Sequence, residues 1–172
     1  MRCIASHLVA AVLFAGDVAA GTAIAAAPLK IAVFPFELMD LSAAAPYVAP
    51  DDIDREQLRL STEEARRLIA ESGRYQLVDL GAVNEQIAKA GQLRECEGCE
   101  IGIAAGLAAD QSMIGIVTRI TRMEYAVTYK IRDIRSGALV DVQQTDLRMG
   151  ANVAWSRGTR WLIERRLLER TP

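Results

Sequence analysis

Residues 124–133, EYAVTYKIRD, alternate without interruption. Tyr125, Val127, Tyr129 and Ile131 fall on one side; Ala126, Thr128, Lys130 and Arg132 fall on the other. Successive side chains of a strand point to opposite faces, so the pattern fits a strand with one dry and one wet face. A helical period of 3.6 would mix the two sets. The turn IRSG (134–137) follows, then ALVDVQQTDL (138–147), which sets Val140 and Val142 against Asp141 and Gln143. Two such runs joined by a glycine turn predict antiparallel strands. SMIGIVTRI (112–120), with Ile114, Ile116 and Ile120 on one face, predicts a third.

The dry face of this meander needs a cover, and the preceding sequence supplies it. LKIAVFPF (29–36) reads as a buried strand that ends near Pro35. Asp52 or Asp54 caps a helix running to about Glu71, with Leu58, Ala65, Leu68 and Ile69 as its apolar stripe. Ser72-Gly73 ends it. YQLVDL (75–80) is a second strand, and AVNEQIAKAGQL (82–93) a short helix on Val83, Ile87 and Ala90. EIGIAAGLAAD (100–110) is a third helix. Asn152 caps a last helix over 153–168, docked by Leu162 and by Trp155 or Trp161, with Gly158 permitting close approach. DLSAAAPYVAPDD (40–52) reads as a mobile connection. The order β-α-β-α-α-β-β-β-α predicts an α/β protein of the two-layer α+β kind: a mixed sheet of about five strands, with helices mainly on one face.

The first 25 residues have a different character. Arg2 gives a positive start, Leu8 to Gly16 an apolar core, and Ala23-Ile24-Ala25 a small-x-small cleavage site. This predicts a cleavable signal peptide at 1–25, followed by a single periplasmic α/β domain at 28–172. Asp17 breaks the apolar run short of the ~20 residues that span a bilayer. Cleavage removes Cys3 and His7, the one histidine of the chain. A mature protein without imidazole excludes Ser-His-Asp, Cys-His and HExxH chemistry, and c-type haem attachment.

Charge is unevenly spread. From 28 to 118 there are eight basic and fifteen acidic residues, a net of −7; from 119 onward there are eleven and six, a net of +5. Solvated faces account for this, and a basic patch for an anionic partner is the sharper alternative. Nucleic acid is not expected: the chain is exported and its aromatics are too few to stack bases. Membrane contact stays open.

RECEGCE (94–100) holds the two remaining cysteines. In an oxidising compartment a local Cys96–Cys99 disulfide is the expected form, and it closes a small loop for about 2 kcal/mol. A thiol–disulfide exchange centre is the second reading. A position near a helix N-terminus would favour a thiolate, whereas Glu95, Glu97 and Glu100 would oppose it. A metal site is the third, with Glu97 or Glu100 completing the set, but a structural zinc site takes four ligands. Asp40, Asp51, Asp52 and Asp54 read as loop charges and a helix cap rather than catalytic or calcium-binding groups. Among the arginines of the last helix, one tryptophan is core and the other shares an exposed face.

As a set, KIAVFPFELMD, ESGRYQLVD, GLAADQSMIGIVTRI, YKIRDIRSGALVD, the CxxC pair and WSRG resemble an uncharacterised family of exported proteobacterial proteins known as a domain of unknown function. The pattern is more distantly similar to the TolB N-terminal domain and to the periplasmic domain of the curli-secretion channel. These resemblances imply a periplasmic interaction or assembly module. The chain lacks a lipoprotein cysteine and channel-forming hairpins, so a pore role is not implied.

The expected function is therefore non-catalytic binding of another periplasmic or envelope protein. The expected surface is the open sheet face (Thr128, Lys130, Arg132, Asp141, Gln143) or the basic last helix (Arg157, Arg160). The alternative is a thiol–disulfide oxidoreductase or redox sensor using Cys96 and Cys99. No cofactor and no metal are expected, and the oligomeric state is left open.

Overall fold

The computed structural model describes residues 27–148 and 154–169. The predicted signal peptide and the proposed cap Asn152 lie outside them. Six strands form one mixed sheet: β1 (Leu29–Val33), β2 (Glu37–Asp40), β3 (Tyr75–Leu77), β4 (Gln111–Arg119), β5 (Glu124–Asp133) and β6 (Leu139–Arg148). Four helices pack on it: α1 (Asp52–Glu71), α2 (Asn84–Ala90), α3 (Cys99–Ala105) and α4 (Trp155–Leu162), the last continuing as a π-helical turn over Ile163–Leu168. The spatial order is β3-β1-β4-β5-β6, with β2 also paired to β4. The β1–β3, β1–β4 and β2–β4 pairs are parallel; β4–β5 and β5–β6 are antiparallel.

The sixth strand comes from the segment expected to be one strand and then loop. Phe34 and Pro35 break the ladder after Val33, and the chain resumes beside the far half of β4 as β2. Helix α1 supplies the partners that the break would leave bare. Thr62 Oγ1 accepts from the Phe36 N–H at 2.9 Å, and the Arg66 guanidinium donates to the Val33 carbonyl at 2.8 and 3.1 Å. Gly115 on β4 leaves the space the Phe36 ring fills: a Cβ there would stand 2.3 Å from ring carbons.

The cap of α1 is Asp51, not Asp52 or Asp54. Its carboxylate accepts from the Asp54 N–H, and Asp54 accepts in return from the Asp51 N–H, a reciprocal capping box. The expected stripe is otherwise in place, with Ala65, Leu68 and Ile69 buried and Leu58 packed against them.

Two apolar clusters sandwich the sheet. Under α1 and α4 lie Ile31, Val33, Met113, Val117, Tyr125, Val127, Tyr129 and Ile131, with Trp155 and Leu162. Gly158 brings α4 onto β6, where a Cβ would meet Leu147 at 2.6 Å. Under the shorter α2 and α3 lie Ala32, Phe34, Ile114 and Ile116, with Val83, Leu93, Ile103 and Ala104. Strand β4 is thus buried on both sides. Ile120, expected to share the face of Ile114 and Ile116, lies past its end and is exposed.

Strand β6 departs from the expected grouping. Its register sets Gln143 opposite Tyr129 and Asp141 opposite Ile131, so both polar residues lie on the α1–α4 side, away from Thr128 and Lys130. Val142 lies opposite Lys130, on the other face. A bulge between Ile131 and Arg132 absorbs Val140 and brings Leu139 opposite Arg132. Asp141 is accommodated beside the helix layer because the Tyr129 hydroxyl donates to it at 2.9 Å.

Candidate functional site

Two features of the second face carry chemistry: a hollow over β4–β6 and the cysteine loop at its rim. The hollow, about 640 Å³, is floored by Ile116, Thr118, Thr128 and Lys130 and walled by Met39, Leu41, Val142 and Gln144, with Arg94 and Glu95 closing one side. α2 and α3 cover the β1–β4 side of this face, and beyond them the sheet is open to solvent. Leu41, Leu139, Val140 and Val142 are exposed there, from 41% to 63%. Of the nearby charges, Arg94 pairs with Glu95 and Glu37, and Asp40 with Arg119. Among the described residues Lys130 makes no ion pair.

The cysteine loop is fixed to β2. The Glu37 carboxylate accepts from the Leu93 N–H at 2.6 Å and the Arg94 N–H at 3.1 Å, holding the 3₁₀ turn Leu93–Glu95 against the sheet. Cys96 and Cys99 follow, bonded in the structure, with Cα atoms 5.6 Å apart, inside the range a disulfide needs. Between them both Glu97 (φ +29) and Gly98 (φ +114) take positive φ. Cys99 opens α3, and the next residue, Glu100, turns inward and is 1% exposed. Its Oε1 stands 3.3 Å from Arg132 Nε, and its Oε2 is buried without a partner. The cysteine sulfurs and a Glu100 oxygen lie within 4.8 Å of one another. Among the described residues no further His, Cys, Asp or Glu joins this group, and bonded sulfurs are poor ligands, so the arrangement falls short of a structural zinc site.

Several expected surface residues have partners inside the fold. Arg132 is held by Glu100 and by the Gly137 carbonyl at 3.2 Å, so it joins the β5–β6 turn to α3. Arg160 donates to Glu64 at 2.5 Å and ties α4 to α1. Arg165 pairs with Glu169, and Arg166 stacks over the exposed Trp161 ring at 5.6 Å. Arg157 is exposed on α4, and Thr128 and Lys130 face the hollow.

The aspartates around 40–54 are likewise engaged. Arg119 joins Asp40 at 2.8 Å to Asp54, and its Nε donates to the Tyr125 hydroxyl at 3.3 Å. Burial alone would raise the Asp40 carboxyl, but hydrogen bonds from Ser42 and Arg119 outweigh it and hold it below its ordinary value. Asp51 caps α1 and Asp52 pairs with Arg55. A second hollow beside them, about 360 Å³, is lined by these committed groups together with Arg122 and Ile53.

The inward turn of Glu100 was not read from the sequence. One signal was present: Ile103 and Ala104, three and four residues on, are the buried positions of α3, which puts Glu100 on their face.

The fold has structural relatives. The C-terminal domain of LpoB from Salmonella enterica matches with a TM-score of 0.52 at 13% identity, over 72% of this chain and 84% of that one. Lipoprotein GNA1162 from Neisseria meningitidis matches with a TM-score of 0.50 at 17% identity, over 73% of this chain and 84% of that one. TolB from Acinetobacter baumannii matches at 0.45 and 12% identity, over 80% of this chain and 27% of that one. At these identities the likeness to LpoB and GNA1162 is one of fold. No curated protein matches the sequence. The match to a family model extends over residues 29–167, and the chain belongs to the family of proteins of unknown function DUF2380.

Proposed function

We propose that the chain is an exported envelope domain that binds another envelope protein across the open part of its sheet. The observation that carries this reading is the orientation of β6. Its valines face solvent and its Asp141 and Gln143 face the helix layer, the reverse of what burial alone would select. An exposed apolar patch rimmed by polar groups is the usual mark of an interaction surface. The edge of β6 away from β5 pairs with no strand among the described residues. The occupant that fits is an apolar segment of a partner with a carboxylate placed to meet Lys130. Likeness in fold to a lipoprotein is consistent with an envelope setting. The basic last helix is the weaker surface, because Arg160 and Arg165 already hold acidic partners.

A photo-cross-linking residue at Val142, in protein exported to a periplasm, tests the reading. The expected result is one adduct with a distinct envelope protein, identified by mass spectrometry, which disappears with Lys130→Glu and does not form from Arg59 on the outer side of α1. No adduct, an adduct indifferent to Lys130→Glu, or an adduct with a second copy of this chain would overturn it.

A further inference from the structure

We propose that Cys96–Cys99 is a thiol–disulfide exchange site, that Glu100 carries the proton of Cys99, and that the substrate is the dithiol or disulfide of a partner protein or peptide. Arg132 answers one oxygen of Glu100 at 3.3 Å, but neither that pair nor a purely structural staple explains the other. Oε2 of a carboxylate that is 1% exposed is buried without a partner, which is costly, and the cysteine sulfurs lie within 4.8 Å of a Glu100 oxygen. In the reduced state the Cys99 thiol would stand beside this carboxylate, and a small side-chain rotation would let it donate there. Cys96 Sγ lies 3.4 Å from the Leu93 carbonyl, so its thiol would also find an acceptor without backbone movement. The site is therefore furnished for both redox states.

Two further observations agree. Both cysteines retain solvent access, which exchange requires. The positive φ of Glu97 is one that side-chain-bearing residues rarely adopt, so opening the pair lets a strained loop relax, and strained, exposed disulfides are the labile ones. The objection from negative charge is also reduced. Arg94 answers Glu95 at 3.1 Å and Arg132 answers Glu100, so only Glu97 acts unopposed among the three acids.

The step balances as follows. Cys96 thiolate, its proton lost to solvent, attacks one sulfur of the partner disulfide; that S–S bond breaks and a mixed disulfide forms. The first partner thiolate leaves and takes a proton from solvent. Glu100 then accepts the proton of Cys99. The Cys99 thiolate attacks Cys96 Sγ, the mixed disulfide breaks, and the second partner thiolate leaves with the proton held by Glu100. The chain gives up two electrons and two protons, and the partner disulfide becomes a dithiol. The reverse sequence reduces the pair.

The test uses the full exported chain, with glutathione as the probe and thiol alkylation followed by mass spectrometry as the readout. The wild type is expected to exchange under native conditions, moving between oxidised and reduced forms as the glutathione ratio is varied. Glu100→Gln is expected to slow closure of the glutathione mixed disulfide about 100-fold, the low end for general acid–base catalysis, and to flatten its pH profile. Glu97→Gln is expected to leave the rate unchanged. A pair that stays oxidised in excess glutathione until denaturant is added overturns the exchange site, whether or not Glu100→Gln folds. Equal rates in folded Glu100→Gln and Glu97→Gln overturn the role of Glu100.

Discussion

On the side of the sheet under α1 and α4, Tyr125, Val127, Tyr129 and Ile131 are each less than 5% exposed. On the other side of the same hairpin, Val142 is 41% exposed and Lys130 looks into a hollow. The first side is finished by the chain itself: Trp155 seats against Tyr125 with ring centroids 5.4 Å apart, and Gly115 and Gly158 are hollowed to admit Phe36 and Leu147. The second side stops where α3 stops. The difference assigns stability to one face and availability to the other, and it can be broken or sharpened by substitution.

The largest effect belongs to the finished side. Trp155→Ala removes a fully buried indole and is expected to cost about 3–5 kcal/mol, read from the urea midpoint. Gly115→Ala drives a methyl into the buried Phe36 ring and should cost about 1–3 kcal/mol in the same assay. The cysteine loop is intermediate. Replacing both cysteines by serine should cost no more than about 2 kcal/mol, because the loop closed is short. A larger loss would mean the loop holds up the sheet rather than edging it. On the open side, Val142→Thr and Lys130→Ala should stay within about 0.5 kcal/mol of the wild type. A larger cost there would show that the valine is already packed by the chain, and the contrast between the faces would fail.

Acid gives a further test. Asp40 is held below its ordinary value, so the unfolded chain binds its proton more readily than the folded one. The stability from this group is present above the unfolded carboxylate value of about 4 and is lost as pH falls through the lower folded value. Asp40→Asn should flatten the acid limb of a melting-temperature-against-pH curve. An unchanged limb would remove Asp40 from the acid response.

Local patterns carried much of this. The alternation of 124–133 sorted the β5 side chains between the two faces, since a period of two needs no knowledge of neighbours, although Ala126, on the side expected to be wet, is 2% exposed. The stripe of α1, its end at Ser72-Gly73, and the docking of Trp155 through Gly158 were equally legible, being set by residues three or four apart. The failures share a cause. Pro35 marked the end of β1, but that the chain resumes as β2 depends on Thr62 and Arg66 satisfying the break from another element. The burial of Glu100 depends on Arg132, thirty-two residues away, reaching across from β5.

Strand β6 separates the two kinds of information most clearly. Its sequence determined that Val140 and Val142 oppose Asp141 and Gln143, because the pleat alone requires it. Which pair met the helices was decided by the register against β5 and by one bulged residue at Val140. A single-residue shift exchanges the faces of a strand, and that shift is set by pairing with a neighbour rather than by the strand itself. The sequence therefore determined that the chain has a sheet with a wet side, and the tertiary structure decided that the wet side carries the valines.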